Sequence, residues 1–94
     1  MIDDLEQIPQ LARGCRVQTR SADETVLLVP EGLLRLKGAG AEILALVDGE
    51  RTVAQIISTL HSQYPPEAHA QISSEVVTFL SSLNQRSVLL LKKP

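Results

Sequence analysis

Few side chains in this sequence could make or break bonds. Cys15 is the sole cysteine, and the two histidines, His61 and His69, stand eight residues apart on either side of Pro65-Pro66. One thiol and two separated imidazoles make a poor metal site, which calls for three or four ligands at close spacing. Solvated surface histidines are the plainer reading. Asp48 and Glu50 flank Gly49 and could be read as a carboxylate pair, but residues beside a turn glycine more simply mark a helix end. Gly38-Ala39-Gly40 lacks the lysine and the G-x-G-x-x-G spacing of a phosphate cradle. An enzyme needs a nucleophile, an acid–base pair or a cofactor site. The sequence offers none, so the reading is of a non-catalytic chain with no cofactor and no metal.

The charge balance narrows the partners. With 9 Lys and Arg against 11 Asp and Glu the formal net charge is -2, which disfavours nucleic acid, since phosphate binding needs clustered cations. A lone cysteine suits a reducing compartment. The opening Met1-Ile2-Asp3-Asp4-Leu5-Glu6 is not a signal peptide, and no run approaches the roughly 20 apolar residues of a membrane span. A soluble cytoplasmic protein is the expectation.

The elements that must position any site follow from periodicity. At 94 residues, 44% of them hydrophobic, the chain fits one domain with a modest core, and that core must be aliphatic because Tyr64 and Phe79 are its only aromatics. Residues 1–12 carry Pro9 and no sustained period, and are expected to form a flexible arm, with 13–91 as the domain and 92–94 as a tail. Cys15, Val17 and Thr19 alternate as one face of a half-buried strand. Thr25–Val29 reads as a second strand. Pro30-Glu31-Gly32 is a turn, and Leu33 to Lys37 a third strand with Leu34 and Leu36 facing in and Arg35 and Lys37 facing out. Short turns between the three imply an antiparallel meander. Ala39, Ile43, Leu46 and Val47 then recur at helical spacing up to Asp48-Gly49. Thr52-Val53-Ala54-Gln55 has the pattern of a capping box, and the helix it opens places Val53, Ile56, Ile57 and Leu60 on one stripe. A third helix, Ile72 to Gln85, carries Ile72, Val76, Phe79, Leu80 and Leu83. Val88 to Leu91 suits a last short strand. The expected class is α+β, a winged helix-turn-helix-like domain in which a three-stranded antiparallel meander is followed by three helices. The third helix has Glu75 but no Lys or Arg, so it would be repelled by DNA.

Arg13-Gly14-Cys15-Arg16-Val17, Val29-Pro30-Glu31-Gly32, Leu36-Lys37, Ala41-x-Ile43-Leu44 and Val47-Asp48-Gly49-Glu50-Arg51-Thr52-Val53-x-x-Ile56 occur in that order. Together they resemble the PqqD family of pyrroloquinoline quinone biosynthesis proteins, over about Leu11 to Leu91. The chain departs from the family in its glycine-rich Lys37-Gly38-Ala39-Gly40 and in lacking an aromatic in the second strand. The resemblance implies a recognition element that binds the precursor peptide PqqA and delivers it to the radical S-adenosylmethionine enzyme PqqE, which crosslinks a Glu and a Tyr of that peptide. It implies no cofactor and no activity of its own.

In related elements the peptide adds as a strand beside the third strand and packs on the third helix. On this sequence those elements supply Leu33, Leu34, Arg35, Leu36 and Lys37, then Ser73, Val76, Val77, Leu80 and Asn84. The physics agrees: a three-strand meander leaves its third strand at an edge with unpaired N–H and C=O groups. Val77 lies roughly 120° from the centre of the third helix's core stripe, on a shoulder shared with Ser73 and Asn84. Alternatives remain: a recognition domain for another ribosomally made peptide, a winged-helix transcription regulator, or a structural subunit docking through Val88 to Leu91. A homodimer also stays open.

Overall fold

The computed structural model describes residues 4–21, 24–36 and 39–93. Its elements are β1 (Ile8–Leu11), β2 (Arg16–Ser21), β3 (Glu24–Val29), β4 (Gly32–Arg35), α1 (Gly40–Ala45), α2 (Val53–His61), a 3-10 turn (Pro66–Ala68), α3 (His69–Gln85) and β5 (Leu89–Lys92). The meander is present as a sheet ordered β2-β3-β4, both pairs antiparallel. Five strands form, however, rather than a meander and one stray strand, because β1 and β5 make a second antiparallel sheet.

That second sheet corrects the expectation of a flexible arm over residues 1–12 as far as it is described, residues 1–3 lying outside the described residues. Pro9 hides the strand in the sequence, since it interrupts a segment only four residues long. It does not break the ladder. The Ala12 N–H donates to Val88 O at 3.0 Å, so by alternation the Gln10 and Ile8 amides also face β5 and the missing Pro9 N–H points away from it. Preceding residues are tied down too. Gln7 O and Leu5 O each accept, at 2.9 Å, from the Val53 and Ala54 amides in the first turn of α2. Those N–H groups have no partner within their own helix. The proposed tail 92–94 likewise begins inside structure, with Lys92 in β5 and its Nζ donating to Gly49 O at 3.2 Å.

The linker between α1 and α2 is held by its own side chains. The helix ends at Ala45, ahead of the Asp-Gly pair expected to close it. Asp48 Oδ1 accepts from the Glu50 and Arg51 amides, both at 2.9 Å, while Gly49 takes φ +79°, the left-handed region that suits glycine. The backbone bond from Arg51, then that from Glu50, holds the Asp48 carboxyl below its ordinary value. This is a structural use of Asp48, not an acid–base pair with Glu50. The capping box forms as read: Thr52 Oγ1 accepts from the Gln55 amide at 3.1 Å and Gln55 Oε1 from the Thr52 amide at 2.8 Å.

The core is the aliphatic cluster that the composition requires. Leu27 from the meander joins Ile43 and Leu44 of α1, Val53, Ile56, Ile57 and Leu60 of α2, Ile72, Val76, Leu80 and Leu83 of α3, and Val88 and Leu89. Leu27 is the only strand residue of the meander fully buried in that cluster; Val26, also buried, lies outside it. Cys15, Leu34 and Leu36 pack against it half-buried, on the inward side as expected. In contrast β2, expected to be half-buried, is exposed at all six residues.

Replacing Thr52 with Ala removes the cap acceptor of α2 while leaving its buried stripe intact. Chemical denaturation should show a loss of about 1 kcal/mol, with an unchanged m-value.

Candidate functional site

The free edge of β4 can be mapped group by group. The Leu36 amide donates to Thr25 O at 3.1 Å, which places the amides of Leu36, Leu34 and Gly32 toward β3. The N–H and C=O groups of Leu33 and Arg35 therefore face outward, where no strand covers them. Leu33 is 38% exposed and Leu34 is half-buried in the core. Arg35 points to solvent and its guanidinium lies 3.4 Å from Glu24 Oε2, an exposed pair of small energetic weight. Lys37 lies outside the described residues.

Beyond β4 the chain turns into α1, and a groove of about 550 Å³ opens between α1 and α3, lined by Ala39, Gly40, Ile43, Ser74, Glu75, Thr78, Phe79 and Ser82. A smaller hollow of about 250 Å³ shares Ala39 and Glu75 with it and adds Glu42, Tyr64 and Gln71. Of the glycine-rich Lys37-Gly38-Ala39-Gly40, the first two residues lie outside the described residues, and Gly40 sits against α3. A Cβ there would lie 3.2 Å from Phe79 Cε1 and 3.6 Å from Leu36 Cβ. A side chain at position 40 would press on the Phe79 ring, which would have to shift by a few tenths of an ångström to make room.

The residues expected on α3 fall on a different flank. Val76 and Leu80 are 0% exposed and form the core beneath the groove. Val77 is half-buried and packs against that core. Ser73 Oγ donates to His69 O at 3.0 Å and meets His61 Nε2, while Asn84 Nδ2 donates to Leu89 O at 2.8 Å. These five hold α3 in place; the open side of the helix is Ser74, Glu75, Thr78, Phe79 and Ser82. A signal for it was present, since Ser74, Thr78 and Ser82 recur every four residues as a strip of small side chains.

The histidines are brought together rather than left in solvent. Their rings stack with centroids 4.1 Å apart and planes 8° from parallel. His61 Nε2 lies 3.1 Å from His69 O, and His69 Nε2 lies 2.9 Å from His61 O. Carbonyls only accept, so Nε2 is the donor in both contacts. The pair clasps the end of α2 to the start of α3. In the smaller hollow the Tyr64 hydroxyl donates to Glu42 Oε2 at 2.6 Å. That bond, with burial and the charges of Glu42 and Glu75, raises the Tyr64 pKa above its ordinary value.

Fold and surface together define a small α+β domain whose distinguishing features are an open strand edge and a groove between two helices. The model of the family described as Coenzyme PQQ synthesis protein D (PqqD) matches residues 24–89. The PqqA binding protein of Azotobacter vinelandii is 40% identical over 84 residues, spanning 88% of this chain and 89% of that one. That of Klebsiella pneumoniae strain 342 is 41% identical over 83 residues, 87% and 88% of the two chains. The solution structure of the PqqD truncation of Methylobacterium extorquens PqqCD, described as a functional and stand-alone recognition element for ribosomally synthesized and post-translationally modified peptides, superposes with a TM-score of 0.72 at 35% identity over 88% of each chain. The chain belongs to the PqqD family.

Tyr64 is the only tyrosine and the chain has no tryptophan, so its ionisation can be followed alone at 295 nm. It should titrate above pH 10, and Glu42→Gln should bring the midpoint down. The sign is that of a raised folded-state pKa: the stabilisation is complete below the unfolded value and is lost as pH rises through the folded one.

Proposed function

We propose that this chain is a non-catalytic recognition element that binds a PqqA-like precursor peptide and presents it to a PqqE-like radical S-adenosylmethionine enzyme. The observation that carries the reading is the free edge of β4, where the backbone groups of Leu33 and Arg35 face outward, on a domain that also opens a groove between α1 and α3. An extended peptide can satisfy the strand edge and turn its side chains into that groove. The names of the relatives, PqqA binding proteins, and the recognition-element description of the Methylobacterium structure support it. The groove lining, with Phe79 and Ile43 as apolar floor and Glu75 on the rim, suits a mixed apolar and polar peptide. We read α2, α3 and the meander as a winged helix-turn-helix-like scaffold used for peptides. On that reading the contact residues are Leu33 and Arg35 by backbone, with Ser74, Glu75, Thr78, Phe79 and Ser82 on the helix.

Arg35→Pro tests the edge. It removes an outward N–H that β3 does not use, and proline is tolerated on an edge strand. Titrated with a synthetic PqqA-like peptide, the proline variant should bind more weakly by about 1–3 kcal/mol, whereas Arg35→Ala, which keeps the N–H, should bind like the parent chain. Circular dichroism checks that both remain folded. Normal binding by the proline variant would remove the β4 edge from the site.

Incubation of the purified chain with the same peptide should leave its mass unchanged. A crosslinked product formed without a partner enzyme would overturn the non-catalytic reading.

A further inference from the structure

The meander has a second free edge, on β2, and its composition differs from that of β4. The β3 residues Thr25, Leu27 and Val29 face β4, so Val26 and Leu28 face β2, pairing with Gln18 and Arg16. The outward N–H and C=O groups of β2 are thus those of Val17 and Thr19. The sequence of β2 alternates as a half-buried strand does, yet nothing in the fold covers it: every residue from Arg16 to Ser21 is exposed, and Val17 is one of the exposed large hydrophobic residues, at 36%. An uncovered strand edge is a ready template for pairing with another chain.

The charges say what kind. From Ala12 to Ser21 the chain carries Arg13, Arg16 and Arg20, three of its nine cationic residues, and no acid, although the whole chain is net negative. Arg35 and Arg51 have carboxylate partners, but among the described residues Arg13, Arg16 and Arg20 make no ion pair. A second copy is a poor cover. In the fully overlapped antiparallel pairing centred on Gln18, Arg16 of each copy would stand opposite Arg20 of the other, and like charges directly opposite are destabilising. A strand bearing carboxylates meets the same positions with opposite charge.

We propose that the β2 edge is a docking site for an extended acidic segment of a partner protein, which adds as a strand beside Val17 and Thr19 and pairs its carboxylates with Arg16 and Arg20. This site is separate from the β4 edge and does not depend on it. A three-stranded sheet can then carry one extended ligand on each side at once.

The test uses the full chain, 15N-labelled, and two capped probe peptides, Glu-Val-Glu-Val-Glu and Lys-Val-Lys-Val-Lys. The acidic probe should shift the Val17 and Thr19 amides, with an effect that weakens as salt rises, while the basic probe should leave them unmoved. The double variant R16E/R20E should lose the acidic probe by about tenfold or more and gain the basic one. Val17→Pro should abolish the response and Val17→Ala should keep it. Should Val17→Pro unfold, the charge-reversal variant decides alone. Equal response to both probes, shifts confined to Leu33 and Arg35, or movement of the Val17 amide on raising protein concentration without any probe would each overturn the proposal, the last in favour of a second copy.

Discussion

The burial of Leu27 is the constraint on which the architecture turns. It is the one strand residue of the meander that enters the helical core completely, and it belongs to the central strand. The neighbouring strands reach the core only through half-buried residues, Leu34 and Leu36 on one side and Cys15 on the other. A sheet anchored through its middle strand keeps both margins away from the core, so their backbone groups stay available. A larger sheet packed flat across the helices would bury its edges or need to protect them. The openness of this small fold follows from how little of its sheet the helices cover.

Holding the helices fixed is then a separate task, and the structure meets it with polar contacts at their ends. The carbonyls of Leu5 and Gln7, the Thr52–Gln55 box and the Asp48 turn fix the start of α2. The His61–His69 stack fixes its end against α3, and Asn84 ties the far end of α3 to β5. Each of these groups could be mistaken for functional chemistry in a chain with so little of it, and each is spent on geometry.

What was legible in the sequence was local. The capping box spans four residues, and the meander joins strands that follow one another through short turns, so pattern and turn chemistry suffice for both. The sheet of β1 and β5 was hidden because its strands lie at opposite ends of the chain and Pro9 obscures the shorter period. The histidine pair was hidden because a 3-10 turn after Tyr64-Pro65 folds α3 back on α2, a geometry that spacing alone does not give. The core stripe of α3 could be read from its period. Which flank stays open could not, because that depends on where α1 lies, with its first residue, Gly40, close against the Phe79 ring.

The pairing of β1 with β5 sets Ile8 beside Lys92. In outline the path from β1 to β5 is close to a closed ring, with its first and last strands side by side. A domain carried after β5 would leave beside β1, whereas one carried ahead of β1 would first follow residues 5–7 along the start of α2. By the same token the ring could be joined there and cut in a surface turn elsewhere without rerouting the chain through its core.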